Sequence, residues 1–269
     1  MAKFSMNQMT TLRWSFEQDC FRYREAGLSA IHVWRDKLHD YGEAKGAILL
    51  EELGLEVSAL SWAGGFTGSD GRNFQDALND AKHAVDLAQE LKAGCLIVYS
   101  GSRGGHISKH AQRLFSGALD ELIPYAEAHG VTLAIKPIRH KYGSDWTLVR
   151  RMTDALQLID VVDSPCFKLV LDLYEFGDQA EVLDNLHLLV PYLALVQVGD
   201  RGCEPQEEPN RCLLGEGQLS LDTTIAKLSQ LGYDGPFDIE LMGRDVQPLE
   251  YEEMLQRSMD YLQAMKSAT

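Results

Sequence analysis

The 269 residues predict an α/β protein, a single (β/α)8 barrel spanning 1–269. Three observations carry that prediction. Short apolar, β-branched runs alternate with longer amphipathic segments eight times along the chain. The runs read as continuously apolar, as parallel strands covered on both faces must. The segment after the first run, "NQMTTLRW", lacks the glycine-rich phosphate turn of the rival doubly wound sheet.

The elements follow in order. "KFSM" is the first strand, and "SFEQDCFRYREAG" is a helix ending at Gly27. "AIHVW" is the second strand, followed by the helix "GEAKGAILLEELG", closed by Gly54. "EVSALS" is the third. "NFQDALNDAKHAVDLAQELKAG" is the clearest helix, with Phe74, Ala77, Leu78, Ala81, Ala84, Val85, Ala88 and Leu91 at helical spacing. Asn73 and Asp76 form its cap pair. "CLIVYSG" is the fourth strand, and "SKHAQRLFSGALDELIPYAEAHG" its helix. "VTLAIKP" and "TLVRRMTDALQLIDVV" are the fifth pair, "FKLVLDL" and "AEVLDNLHLLV" the sixth. "YLALVQVGD" and "LDTTIAKLSQLG" are the seventh, "PFDIELMG" and "YEEMLQRSMDYLQAM" the eighth.

A chain this long buries roughly three quarters of its unfolded surface, so the core needs no covalent staples. The five cysteines, Cys20, Cys95, Cys166, Cys203 and Cys212, are odd in number and lack any CxxC pair. They read as free packing thiols in a reducing compartment. The net charge of −15 opposes nucleic acid and anionic membranes as partners. No apolar run approaches the ~20 residues of a membrane helix, and "MAKFSMNQMT" lacks a signal-type apolar core. These features predict a cytoplasmic soluble protein.

In such barrels the chemistry gathers at the C-terminal strand ends. Strand two ends near His32, Trp34 and Arg35, and strand four in Tyr99 and the loop "SGSRGGH". Strand five ends at Lys136, strand six at Asp172 with Glu175 one turn on, strand seven near Gln197 and Asp200, strand eight at Glu240. Lys136, Asp172, Gln197 and Glu240 thus come from four successive strands and are placed to converge. Any one acid there is equally a helix cap or loop hydrogen bonder. His32 is either a satisfied core histidine or a site residue. Trp34, Trp62 and Trp146 either wall a sugar-sized pocket or fill the rim.

"RCLLGEGQLSLDTTIAKLSQLGYDGPFDIELMG" resembles the C-terminal signature of the xylose-isomerase-like barrel superfamily, with "LAIKPIRH", "LVLDLYEFG" and "ALVQVGD" in the expected order before it. The superfamily holds sugar isomerases and epimerases, hydroxypyruvate isomerase, inosose isomerases and dehydratases, and a nuclease branch. The resemblance implies a carbohydrate isomerase or epimerase, with a sugar or sugar-acid substrate, free or phosphorylated, and a homodimer or homotetramer. It also implies one Mn²⁺ or Mg²⁺ on Asp172, Gln197, Glu240 and a glutamate of strand five, where this chain has Lys136. Where the family commonly has a histidine in "DxxH", this chain has Glu175. The candidate substrate-facing set is His32, Trp34, Trp62, Arg103, His106, Glu175 and, by the resemblance, Arg211, with Glu240 and Lys136 as candidate catalytic residues.

An ammonium has no lone pair for a divalent ion. Asp172, Glu240 and a protonated Lys136 leave −1, the same as three carboxylates and a divalent ion, so Lys136 reads as a replacement for the metal. Metal binding is expected to be weak or absent. Carboxylate neighbours raise the lysine pKa and argue against a Schiff base or a lysine base. A charged Lys136 instead polarises a carbonyl or stabilises an enediolate. The alternative is a non-catalytic or metal-free sugar-binding relative. The nuclease branch, with its histidine-rich metal cluster, does not fit these strand ends.

Overall fold

Eight parallel strands close on themselves in chain order, each paired with its sequence neighbour and β8 with β1. The computed structural model describes residues 3–202 and 208–267. The strands are β1 (Lys3–Asn7), β2 (Ala30–Trp34), β3 (Glu56–Ala63), β4 (Leu96–Val98), β5 (Leu133–Ile135), β6 (Phe167–Asp172), β7 (Leu193–Val198) and β8 (Pro236–Ile239). The helices are α1 (Phe16–Glu25), α2 (Arg35–Tyr41), α3 (Glu43–Leu53), α4 (Phe74–Glu90), α5 (Ser108–His129) and α6 (Met152–Val162). They continue with α7 (Leu173–Phe176), α8 (Ala180–Asp184), α9 (Leu186–Leu189), α10 (Leu221–Gln230) and α11 (Tyr251–Ser267).

The predicted cap of α4 and the glycine stop of α3 form, and α1 carries a further cap. Asn73 Oδ1 accepts from Asp76 N at 2.9 Å, and Ser15 with Gln18 makes a capping box on α1. Gly54 closes α3 at φ 61°, a backbone that any side chain would strain. Three elements depart from the sequence reading. Helix α2 follows β2 directly, where no helix was expected. The segment expected as one helix from Ala180 breaks at Asn185 (φ −107°, ψ 19°) into α8 and α9. Helix α6 starts only at Met152, because Leu148 N is drawn to Ser100 Oγ (2.7 Å) and Val149 N to Thr147 Oγ1 (3.1 Å).

Two cores result. The larger lies between strands and helices. The smaller fills the barrel axis with Ala59, Cys95, Ile97, Ala134, Val170 and Leu195. Strand side chains alternate faces with a period of two. Two residues beyond Ala59, Ile97, Ala134, Val170 and Leu195 come Ser61, Tyr99, Lys136, Asp172 and Gln197, one layer nearer the mouth. The apolar plug therefore sets the height of the polar layer above it. Cys20, Cys95, Cys166 and Cys212 are unpaired, and Cys203 lies outside the described residues. Among the described residues no helix is long and apolar enough to cross a membrane.

Candidate active site

The polar layer is a hydrogen-bonded ion cluster centred on two carboxylates. Asp172, at the end of β6, pairs in register with Gln197 of β7, which pairs with Asp238 of β8. Glu240, two residues on, faces the same axis. Lys136 Nζ lies 3.0 Å from Asp172 Oδ2 and 3.6 Å from Glu240 Oε2. Arg211 binds both acids: Nη1 to Asp172 Oδ1 at 3.1 Å, Nη2 to Asp172 Oδ2 at 2.8 Å and to Glu240 Oε1 at 3.0 Å. Gln197 Nε2 donates to Glu240 Oε2 at 2.7 Å, and Asn7 Nδ2 to the same oxygen at 3.2 Å.

Arg211, expected to face the substrate, lines the cavity above the cluster but gives its guanidinium to the two acids. It is 2% exposed and turned down onto the acids. Gly199 makes room for it: a Cβ there would come within 2.7 Å of Arg211 Nη1 and 2.8 Å of the Glu240 carbonyl oxygen. The Arg211 guanidinium also lies 4.4 Å from the Tyr174 ring centre. Two cations now face two carboxylates, so these four groups sum to zero rather than to −1.

Burial alone disfavours every charge in the cluster. It pushes Asp172 up, yet Arg211 and Lys136 outweigh it and hold that carboxyl well below the usual carboxylate range. Burial pulls Lys136 down, yet Asp172 and Glu240 outweigh it and raise that ammonium above the usual lysine range. Lys136 is therefore a permanent cation, unfit as a base or imine former.

A divalent ion of the Mg²⁺ or Mn²⁺ type needs free oxygen lone pairs. Every oxygen of Asp172 and Glu240 already accepts from a nitrogen, Asp172 Oδ1 also from Tyr174 N at 3.0 Å. Among the described residues no three His, Cys, Asp or Glu side chains gather as a metal set. Two cations thus stand where the implied ion would meet these carboxylates, and Glu240 Oε1, with one donor, and Gln197 Oε1, with none among the described residues, keep open lone pairs.

Above the cluster opens a cavity of about 730 Å³. Lys136, Glu175, Gln197, Arg211, Glu240 and Trp62 line it. Trp62, Tyr99 and Trp146 form an aromatic wall, with the two tryptophans edge-to-face at 5.1 Å. Burial pushes the Tyr99 hydroxyl up to about 12, so it stays protonated. Glu175 does not join Asp172. Its Oε2 accepts from Arg139 N (2.8 Å), His140 N (3.1 Å) and His140 Nδ1 (2.9 Å), and its Oε1 from Tyr142. Burial raises Glu175, but His140 and Tyr142 more than compensate and lower it.

The other expected residues scatter. Trp34 lines a second cavity of about 740 Å³ beside the first. His106 Nε2 bonds the Thr67 carbonyl at 2.9 Å, and neither it nor Arg103 lines either cavity. His32 is fully buried beneath the mouth, between Asp238 and Ser61. Asp200 is a loop organiser: it accepts from the backbone of Arg201, Gly215, Gly217 and Leu219, and so holds the "GEG" turn. Sequence reasoning missed Asn7, Ser61, Asp238, His140 and Tyr142. The period of two was the available signal for Asp238, which shares a face with Glu240.

A family model described as a xylose isomerase-like TIM barrel matches residues 21–265. An inosose isomerase of Bacillus velezensis is 22% identical over 278 residues, covering 98% of this chain and 97% of that protein. A solved structure from Sinorhizobium meliloti superposes with a TM-score of 0.89 at 22% identity, covering 97% of this chain and 98% of that one. An IolI protein solved with a zinc atom gives 0.84 at 19% identity, covering 99% and 98%.

Proposed function

Because the chain belongs to the xylose isomerase-like TIM barrel family, we propose that it is a metal-independent isomerase or epimerase. It acts on a small hydroxylated ketone by moving a proton next to the carbonyl. The observation that carries this reading is the pairing of Lys136 and Arg211 with Asp172 and Glu240 at the floor of the mouth cavity. The two cations occupy the electrostatic place of a divalent ion. Lys136, a cation at the cavity floor whose ammonium has one N–H beyond those facing Asp172 and Glu240, polarises the substrate carbonyl and holds the enediolate oxygen.

Among the described residues four basic and four acidic side chains line the cavity, giving no excess of cations for a phosphate. A neutral sugar or cyclic polyol ketone fits that balance better than a phosphorylated one. Among the described residues Gln197 Oε1 and Arg211 Nε are buried without a partner. The aromatic wall supplies a surface for the apolar face of a sugar ring. Relatives named as an inosose isomerase and an L-ribulose 3-epimerase support a carbohydrate substrate.

The test is incubation with keto-sugars and inososes in D₂O containing EDTA, read by mass and NMR. Deuterium should enter carbon beside the carbonyl despite the chelator. Exchange that appears only after Mn²⁺ is added, or a stoichiometric tightly held ion in the purified protein, would sink the metal-free reading. A second reading is a sugar-binding protein without catalysis. The hold of Arg211 and Lys136 on Asp172 favours it, because a carboxyl kept below the usual carboxylate range is a poor base. Ligand binding without any exchange would select it.

A further inference from the structure

Three side chains from β2, β3 and β8 are joined head to tail beside the ion cluster. His32 Nδ1 lies 2.6 Å from Asp238 Oδ2, and His32 Nε2 lies 2.5 Å from Ser61 Oγ. His32 and Asp238 are fully buried, while Ser61 lines the mouth cavity with Lys136.

The hydrogen bonds assign the protons. Asp238 accepts from Ser5 Oγ at 2.8 Å and from the Asn7 and Gln197 amides at 3.2 Å each, the environment of an acceptor-only carboxylate. The Asn7 amide sits 3.0 Å from His32 Nδ1, but its Oδ1 end accepts from Met9 N, and its protons serve Asp238 and Glu240. His32 Nδ1 therefore carries the proton that bonds Asp238. Its Nε2 offers a lone pair to the Ser61 hydroxyl. This is the Ser-His-Asp arrangement, which is identified by geometry and role and not by chain order.

We infer that Ser61, His32 and Asp238 form a proton relay opening on the mouth cavity, with Ser61 Oγ as its catalytic atom. The relay supplies a base beside Asp172 and Glu240, whose oxygens all accept from N–H donors. Its use in isomerisation rests on the proposed function. Ser61 Oγ takes the proton from the carbon beside the carbonyl while its own hydroxyl proton passes to His32 Nε2. The electron pair of the broken C–H bond becomes the enediolate, whose oxygen is held by the Lys136 ammonium. Asp238 keeps the imidazolium paired and oriented. For isomerisation the proton on Ser61 is delivered to the neighbouring carbon of the enediolate, the former carbonyl carbon, while His32 returns its proton to Ser61 Oγ. The hydroxyl proton on the first carbon moves to the former carbonyl oxygen, so no oxidant or reductant is consumed.

The relay is tested apart from any sugar. Diisopropyl fluorophosphate should label Ser61: Oγ bonds to phosphorus, fluoride leaves, and the hydroxyl proton passes to His32. Peptide mass mapping should place one label on Ser61, absent in Ser61→Ala and roughly 100-fold slower in His32→Gln and Asp238→Asn, as loss of a general base predicts. Thermal unfolding shows which variants remain folded, and Ser61→Ala removes only one oxygen. No label on Ser61, or an unchanged rate in a folded His32→Gln, overturns the relay. With an active sugar, Ser61→Ala should lose deuterium exchange at least about 100-fold with its ligand Kd unchanged; retained exchange overturns the catalytic role. Labelling at Ser61 with no exchange on any sugar upholds the relay and overturns the isomerase reading.

Discussion

Two lysines are buried in this barrel against an aspartate, and they behave in opposite ways. Lys37 Nζ lies 2.7 Å from Asp19 Oδ2 and 2.7 Å from the Thr11 carbonyl. Lys136 Nζ lies 3.0 Å from Asp172 Oδ2. At the first pair burial prevails: it lowers Lys37 and pushes the Asp19 carboxyl up to about 6 despite the attraction between them. At the second pair attraction prevails, raising Lys136 and lowering Asp172. The difference is the number of partners. Lys37 has one carboxylate, whereas Lys136 has two, and Asp172 has Arg211 as a second cation. One buried pair barely offsets its own desolvation, while two interlocked pairs stay ionised. The first pair pins the loop after β1 to α1 and α2; the second forms the floor of a cavity.

The largest expected effect comes from breaking the interlocked set. Arg211→Met removes three hydrogen bonds to two buried acids. It should cost about 3–5 kcal/mol in urea unfolding, the usual penalty for a buried charge that loses its partner. Lys136→Met should cost somewhat less, because Arg211 still binds both acids.

The next effect is a pH slope. Asp19 has a folded pKa of about 6 against an ordinary 3.8. Between those values the folded state binds the extra proton, so its contribution to stability falls as pH rises through the window. Wild-type stability relative to Asp19→Asn should decline by about 2–3 kcal/mol from pH 4 to pH 7. Asp172, with its carboxyl lowered, contributes stability that is lost only in strong acid. A flat difference for Asp19→Asn, measured by urea midpoints at several pH values, would show that Lys37 does more than this pair geometry implies.

The comparison is sharpened by Lys136→Glu. This change takes Asp172, Glu240, Arg211 and position 136 from a net charge of zero to −2. The variant should gain a Mn²⁺-dependent rise in melting temperature that the wild type lacks. No rise would mean that Arg211 alone keeps the remaining oxygens from a metal. The smallest effect belongs to an exposed pair of comparable length. Arg151 and Asp154 meet at 2.6 Å with Arg151 75% exposed. Arg151→Ala should change stability by less than about 0.5 kcal/mol in the same urea assay.

The sequence by itself determined the barrel. Eight apolar runs that must be buried on both faces, separated by helical periods, admit few other closed arrangements. It also determined that Lys136, Asp172, Gln197 and Glu240 would meet, because consecutive parallel strands place their ends side by side. Only the tertiary structure decided what those residues do to one another. Arg211 lies on a loop, and no periodicity dictates whether a loop side chain points up to a ligand or down onto two acids. Glu175 was drawn away by Tyr142 and His140, far from it in sequence. The join of Ser61 to His32 and Asp238 depends on hydrogen bonds spanning 29 and 206 residues of chain, set by barrel closure and strand register. Local pattern encodes which face of a strand is buried; which polar partners then meet across the axis is a property of the closed barrel.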